Sequence, residues 1–193
     1  MILLALALGY LLGSIPFGLL LARASGAGDI RTIGSGNIGA TNVLRTGKKG
    51  VALATLLLDA GKGAAAVWLG SRLGGEAGAL AGAAGAFVGH VWPAWLGFRG
   101  GKGVATLLGT SLALFWPAGL AFAAAWAGVA LVTRISSAGG MAGGFAAALL
   151  ALLMGRQAVA LLLLGLALAV LWTHRGNIAR LKAGTEPRIG RGG

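Results

Sequence analysis

The sequence contains no cysteine and very little charge. Without cysteine, the chain has no disulfide bonds, no thiolate metal sites and no covalent thioester. Charged residues make up 10% of the 193 positions and hydrophobic residues 57%, whereas soluble domains average about a quarter charged and about half apolar. With a mean hydropathy of +0.86, the composition excludes an ordinary soluble domain and indicates an integral membrane protein.

The N-terminus also lacks the basic stretch that opens a cleaved signal peptide. The apolar run beginning at Met1 continues through Pro16 and Phe17, which is longer than the apolar core of a signal peptide. We therefore predict a retained first span.

A helical crossing needs about 20 apolar residues. On that basis the sequence predicts an all-α integral membrane protein, a compact bundle of about seven transmembrane helices in a single domain covering residues 1–193. The predicted spans are Met1–Ala22, Val51–Leu73, Ala77–Trp92, Val104–Trp116, Ala118–Thr133, Ala138–Met154 and Gln157–Thr173. The fourth and fifth spans meet at Trp116-Pro117, so a merged pair or a re-entrant element is an alternative.

Basic residues are distributed unevenly between the two sides of this bundle. Thirteen of the sixteen Lys and Arg would lie on one side: Arg23, Arg31, Arg45, Lys48, Lys49, Arg99, Lys102, Arg134, Arg175, Arg180, Lys182, Arg188 and Arg191. By the positive-inside rule that side is the cytoplasm, with the N-terminus outside and the C-terminus inside. The net charge of +12 is thus interpreted as membrane topology and not as nucleic-acid binding.

Glycine is abundant, at 37 residues, and shows no fixed repeat. Gly78, Gly82, Gly85 and Gly89 recur at steps of three and four and line one face of the third predicted helix. Two interpretations follow: close packing between helices, or a groove that admits a lipid chain.

A run of small polar residues from Gly34 to Asn42, followed by Arg45, lies between the first two spans. Glycines let backbone N–H groups converge on an anion, and the neighbouring hydroxyl, amide and guanidinium groups add further donors. This segment is predicted to bind phosphate.

Two more polar segments lie on the same predicted side. Residues 98–106 form a glycine-rich loop that leads into a helix N-terminus, where free N–H groups and the helix dipole favour an anion. Residues 174–182 leave the last span and include His174 and Asn177, one turn apart. Loops distant in sequence are thus predicted to supply donors to one cytoplasmic face.

Two nucleotide-binding motifs are excluded by their context. Gly34, Gly36 and Gly39 match a dinucleotide fingerprint, but no strand precedes them and Asp59 falls within an apolar helix. The Gly101-Lys102-Gly103 sequence resembles a Walker loop, but Leu96 occupies the first glycine position and Gly103 the Ser/Thr position.

Several ionisable residues have two interpretations. Asp59 and Lys62, three residues apart, are predicted to pair on one helix face, with phosphate sensing by Lys62 as the alternative. His90 is more typical of a hydrogen-bonded structural residue than of a base. Glu186 either orients a cation such as Lys102 or Arg45, or is simply solvated.

The three polar segments, together with Gly89-His90, give the chain a resemblance to the PlsY family over nearly its full length. That family comprises bacterial acyl-phosphate:glycerol-3-phosphate acyltransferases. The resemblance implies a multi-helix enzyme that moves a fatty acyl group from acyl phosphate to glycerol 3-phosphate, giving lysophosphatidic acid and phosphate. It implies the bacterial cytoplasmic (inner) membrane, with the active site facing the cytoplasm.

The resemblance also implies roles for individual residues. Lys102 and His174 are the predicted catalytic residues, with no metal and no cofactor. The predicted substrate-binding and phosphate-binding residues are Ser35, Asn37, Gly39, Thr41, Asn42, Arg45, Lys102, Thr106, Asn177 and Glu186. Ser137, in the shortest inner loop, is a further candidate. The stretch from Trp92 to Phe98 departs from the Phe-rich sequence usual in the family, which bears on how the acyl chain is held.

An acyl phosphate is already an activated anhydride, so the enzyme mainly has to hold two anions together and stabilise developing charge. We predict direct attack by the 1-hydroxyl of glycerol 3-phosphate, with either the leaving phosphate or His174 taking the proton. The expected partners are the two substrates, membrane lipids and, transiently, the soluble enzyme that makes acyl phosphate. The alternative function is a transporter or channel for a phosphorylated solute.

Overall fold

The computed structural model describes residues 1–190, and its regular secondary structure is entirely helical, with no strand in that range. The predicted all-α membrane fold is confirmed. Arg191, counted among the basic residues of the tail, lies outside the described residues.

Most of the helices follow one another with short connections, and two connections are longer. They are α1 (Ile2–Gly13), α2 (Phe17–Ala24), α3 (Ala40–Leu44), α4 (Lys49–Val91), α5 (Val104–Leu114), α6 (Trp116–Thr133), α7 (Ser136–Leu153), α8 (Gln157–Thr173) and α9 (Arg175–Lys182). Short 3-10 turns at Ile30–Thr32 and Ala94–Leu96 lie in the two longest connections.

The first predicted span is broken at Pro16. Proline has no N–H to continue a helical hydrogen-bond ladder and disfavours helical geometry in the residue before it. The helix α1 therefore ends at Gly13, and α2 begins at Phe17. The break leaves the Ile15 carbonyl oxygen available to a side chain.

The second and third predicted spans are the two halves of α4. The chain folds back at Gly74 and Gly75, where Gly75 has a φ of 59° that favours glycine. On the two sides of this turn, Gly70 and Gly78 touch so closely that a methyl group on either would overlap the other's carbonyl oxygen. The prediction of two separate helices is confirmed, and they form a hairpin.

The glycine face of the second half of α4 is covered by backbone. A methyl group at Gly82 would overlap the Ala66 carbonyl oxygen, and one at Gly85 or Gly89 would overlap a carbonyl oxygen of α1. Helix packing is therefore the correct interpretation of this face. The hypothesis of a lipid groove there is wrong because no space remains over these glycines.

The helices α5 and α6 are separate, since Phe115 between them is extended. By length and apolar composition, four helical stretches within residues 1–190 could cross a membrane, or five if the bent pair α8 and α9 is one span. One of the four, Lys49–Leu96, contains the hairpin. The helix α5 has only 11 residues, so the crossing number of seven and the orientation stay predictions.

The chain divides into two compact units. The first runs from Met1 to Thr110 and is built around α4, against which α1, α2 and α3 pack. The second begins at Ser111, and in it α7 packs against both α6 and α8. Gly139 and Gly143 of α7 lie against Trp126 and Phe122 of α6, so glycine again permits close helix contact.

Candidate active site

In the first unit, the segment predicted to bind phosphate is folded around the Asn42 side chain. Asn42 Nδ2 donates to the carbonyl oxygens of Ile30, at 2.7 Å, and Ile33, at 3.2 Å. Its Oδ1 accepts the Ser35 backbone N–H at 3.1 Å. Asn42 is buried, so these bonds fix the course of the segment from Ile30 to Ser35. The structure thus gives Asn42 an organising role in this loop.

Asn37 and Gly34 shape the same loop. Asn37 Oδ1 accepts the Gly39 N–H at 2.8 Å, a local turn that sets up the start of α3. Gly34 has a φ of 54°, and a Cβ there would lie 2.6 Å from Arg45 Nη1. Glycine is therefore needed both for its conformation and to admit the Arg45 guanidinium. Ser35, Thr41 and Arg45 are exposed along this loop.

The second glycine-rich loop is bonded to the end of α4. The Gly101 N–H donates to the His90 carbonyl oxygen at 2.9 Å, and the Gly100 N–H donates to that of Val91 at 3.0 Å. Gly103, with a φ of 86°, lies against the Phe87 ring. Lys102, half-buried, is thus held immediately before the N-terminus of α5.

Thr106 takes a different place from the other predicted ligands. It is buried on α5, and a Cβ on Gly63 of α4 would lie 2.7 Å from the Thr106 carbonyl oxygen. Its hydroxyl is therefore enclosed in helix packing and does not line the loop surface. A role in phosphate binding stays a prediction for Thr106.

The predicted pair of Asp59 and Lys62 is confirmed. Lys62 Nζ lies 2.7 Å from Asp59 Oδ1, and both side chains are almost fully buried. Lys62 Nζ also donates to the Ile15 carbonyl oxygen at 2.7 Å, at the break between α1 and α2. The ammonium group therefore has two oxygen partners, which reduces the cost of burying its charge.

In the second unit, the predicted residues Ser137 and Asn177 meet at the Glu186 carboxylate. Ser137 Oγ donates to Glu186 Oε1 at 2.6 Å, and Asn177 Nδ2 donates to the same oxygen. Arg180 Nε donates to Oε2 at 2.7 Å. Glu186 is therefore not solvated, since its side chain is only 6% exposed and has three donors.

The Glu186 cluster, comprising Ser137, Asn177, Arg180 and Glu186, holds the ionised carboxylate. Burial alone would raise the pKa of Glu186, but the hydrogen bonds from Ser137, Asn177 and Arg180 outweigh it and lower the pKa below its ordinary value. Arg180 was not among the predicted site residues. Its spacing of three from Asn177 places both on one face of α9, which is the signal that would have identified it.

His174 lies at the junction of α8 and α9 and is buried. Its Nδ1 is 2.8 Å from the Val170 carbonyl oxygen. A carbonyl can only accept, so Nδ1 carries a proton and Nε2 is the atom at which the neutral ring can gain one. This tautomer is the one required of a base acting through Nε2.

Comparison with known proteins identifies the family of the chain. The glycerol-3-phosphate acyltransferase family model matches residues 3–184. The chain belongs to this family. It is an integral membrane acyltransferase, and phospholipid biosynthesis is the process in which that activity takes part.

Two relatives illustrate the similarity in sequence. A glycerol-3-phosphate acyltransferase of Rhodopseudomonas palustris (strain BisB5) is 54% identical over 186 residues, covering 96% of this chain and 95% of the relative. Another, of Maricaulis maris (strain MCS10), is 58% identical over 183 residues, covering 94% and 84%.

A solved structure extends the similarity to the fold. The crystal structure of PlsY (YgiH), an integral membrane glycerol 3-phosphate acyltransferase, in its glycerol 3-phosphate form matches with a TM-score of 0.91 at 33% identity. The match covers 97% of this chain and 95% of the other. The lysophosphatidic acid form of the same protein matches with a TM-score of 0.89 at 32% identity. The resemblance inferred from the three polar segments is confirmed.

Proposed function

We propose that the chain transfers a fatty acyl group from acyl phosphate to the 1-hydroxyl of glycerol 3-phosphate, releasing 1-acylglycerol 3-phosphate and phosphate. The observation that carries the proposal is the pair of PlsY structures in glycerol 3-phosphate and lysophosphatidic acid forms. These two ligands differ by one acyl group, which makes them the acceptor and product of a single transfer. This would be the first acylation step of bacterial phospholipid synthesis.

The bond changes are few. The acceptor oxygen bonds to the acyl carbon, the bond from that carbon to the phosphate oxygen breaks, and the hydroxyl proton leaves. Phosphate is a good leaving group, so catalysis rests on holding two anions and neutralising the charge that develops. The exposed Arg45 and the half-buried Lys102, each in a glycine-shaped loop, supply the cations for this work.

The remaining predicted ligands fall into two groups by their surroundings. Ser35, Asn37, Gly39 and Thr41 belong to the loop that Asn42 organises, and we assign phosphate oxygens to its outward donors. Ser137, Asn177 and Glu186 form the cluster of the second unit. We assign them to the substrate-binding machinery, with the carboxylate orienting its donors.

The proton goes to the departing phosphate, which gains basicity as its bond to the acyl carbon breaks. His174 Nε2 is the competing acceptor. His174→Ala distinguishes the two, because loss of a general base changes the pH dependence of kcat/KM. We expect the shape of the pH–rate profile to be the same as in the wild type; a missing limb would assign the proton to His174.

The proposal includes the setting of the enzyme. We place it in the bacterial cytoplasmic membrane with its reaction on the cytoplasmic side, on the strength of the positive-inside asymmetry. One family match across residues 3–184 supports a single catalytic domain. A transient contact with the soluble enzyme that makes acyl phosphate would deliver the donor.

Purified protein in detergent, mixed with acyl phosphate and glycerol 3-phosphate, tests the reaction. We expect equal amounts of phosphate and lysophosphatidic acid to appear. Lys102→Met should lower kcat about 100- to 1,000-fold, the usual effect of removing one charge-stabilising donor. Lys49→Met, at an exposed lysine, is the matched control and should be near wild type. Near-normal turnover in Lys102→Met would contradict the assignment.

A further inference from the structure

Three ionisable side chains lie together in the first unit without a part in the reaction described above. Asp59, Lys62 and His90, here the Asp59 cluster, are each no more than 5% exposed. Lys62 Nζ is 2.7 Å from Asp59 Oδ1, and His90 Nδ1 is 3.7 Å from the same oxygen. Burying the ions of the Asp59–Lys62 pair is costly, and well-packed apolar residues are often at least as stable there. The Asp59 cluster therefore calls for a role beyond stability.

One side of the Asp59 cluster leads to the Asn42 loop. Lys62 Nζ donates to the Ile15 carbonyl oxygen and lies 5.7 Å from the centre of the Phe17 ring. Ile15 lies in the break before α2 and Phe17 is the first residue of α2. The next residue, Gly18, is packed directly on the Ile38 carbonyl oxygen. Because Ile38 lies between Asn37 and Gly39, the position of Lys62 is transmitted through α2 to that loop.

The other side leads to the loop of Lys102. The His90 imidazole lies directly against Gly101, where a methyl group would overlap Nε2. The His90 carbonyl oxygen accepts the Gly101 N–H at 2.9 Å. Gly101 immediately precedes Lys102. The ring and backbone of His90 therefore together fix the position of the loop that carries the lysine, relative to α4.

We propose that the Asp59 cluster is a positioning unit that fixes the separation of the two glycine-rich loops, and with it the separation of Arg45 and Lys102. Asp59 lies at its centre, Lys62 leads to one loop and His90 to the other. All three are positioning residues, because their contacts are to protein groups. A displacement of about 1 Å at such a site can cost on the order of 100-fold in rate, which gives a buried ionic cluster a use that an apolar core would not have.

The absence of cysteine permits a direct measurement of the separation. Leu44→Cys and Arg99→Cys place spin labels at exposed positions near the two loops. Pulsed electron paramagnetic resonance then gives the distribution of distances between the two labels. We expect one narrow distribution in the otherwise unaltered chain. The double variant Asp59→Asn/Lys62→Met, which removes both charges at similar volume, should broaden or shift it. His90→Gln, which removes the ring from Gly101, should do the same.

Kinetics without the labels provide a second readout. We expect kcat/KM for glycerol 3-phosphate to fall about 100-fold in both variants, with an increase in KM, since a displaced loop binds anions poorly. Val67→Ala is the matched control, because it removes buried volume from the same half of α4. It should lower the melting temperature and leave both KM and the distance distribution unchanged.

The inference rests on the proposed function only for the identity of the acyl donor. If the wild type fails to use acyl phosphate, the proposed reaction is wrong. The distance measurement would still test the positioning role of the Asp59 cluster. Unchanged distributions in folded variants would overturn the positioning role. It is equally overturned if Val67→Ala alters the distance and KM as the cluster variants do, or if neither cluster variant can be recovered folded, since the residues would then serve stability alone.

Discussion

Asn42 and Glu186 each organise a polar segment, but by different physical means. The Asn42 amide has both donors and an acceptor, so it forms hydrogen bonds with N–H and carbonyl groups of one loop without carrying a charge. The Glu186 carboxylate only accepts, and its three donors come from two helices of the second unit, α7 and α9. The first arrangement should be independent of pH, whereas the second depends on ionisation.

The largest effect is expected at Asn42. Asn42→Leu leaves the buried Ile30 carbonyl oxygen without its side-chain partner, at a cost of about 1–3 kcal/mol, and the N–H of the exposed Ser35 loses a hydrogen bond worth about 0.5–1.5 kcal/mol. We expect the free energy of unfolding to fall by about 2–4 kcal/mol and turnover to be largely lost. Denaturant titration in detergent, alongside the activity assay, measures both. Leu44→Ala, at an exposed position of α3, is the control.

A smaller effect is expected at Glu186. Glu186→Gln keeps an oxygen for one donor but loses the charge that attracts Arg180, whose side chain is 40% exposed. We expect a loss of about 1–2 kcal/mol in the same titration, the usual value of a charged hydrogen bond discounted for solvent. A loss equal to that of Asn42→Leu would remove the distinction between the two centres.

The pH dependence sharpens the comparison. Because the pKa of Glu186 is lowered in the folded protein, its contribution is present above the unfolded pKa of about 4.3 and is lost as the pH falls through the folded value. Wild-type melting temperatures should therefore decrease below about pH 5 by more than those of Glu186→Gln. In Asn42→Leu the acid-dependent decrease should equal that of the wild type, and a smaller one would mean that the two centres are coupled.

Glycines in the two units should respond in opposite directions to the same substitution. Gly82→Ala would force the α4 halves apart at Ala66 and should cost about 1–3 kcal/mol. In α8, Gly165 faces open space, so Gly165→Ala should instead gain about 0.5–1 kcal/mol by restricting the unfolded chain. A lower melting temperature for Gly82→Ala and a higher one for Gly165→Ala would confirm that Gly82 is in close helix contact and Gly165 is not. A higher melting temperature for Gly82→Ala would contradict this.

Much of the fold follows from the sequence. The apolar runs predict every helix from α4 onward except α9, because apolar length and glycine breaks are local signals. The break at Pro16 was not predicted, since the apolar run continues through it and the compensating partner, Lys62, is 47 residues away from Ile15. Such a contact is fixed by packing and leaves no local trace.

The candidate site was predictable in composition and not in its internal bonding. A loop rich in Ser, Asn and Gly has the same sequence whether its amides face an anion or its own carbonyl groups, so the inward hydrogen bonds of Asn42 are apparent only in the folded structure. Glu186 could not be placed either. Its position depends on the tail returning to Arg134, whose carbonyl oxygen accepts the Ile189 N–H at 2.7 Å.

That return of the tail has a practical consequence for handling the protein. A version shortened at Ala183, with a purification tag fused there, would lack both the Glu186 carboxylate and the Ile189 anchor. Asn177 and Arg180 would then have no shared acceptor. A tag joined after Gly193 leaves both in place. Inactive preparations of C-terminally shortened versions would therefore reflect the missing segment and not a fault of the detergent.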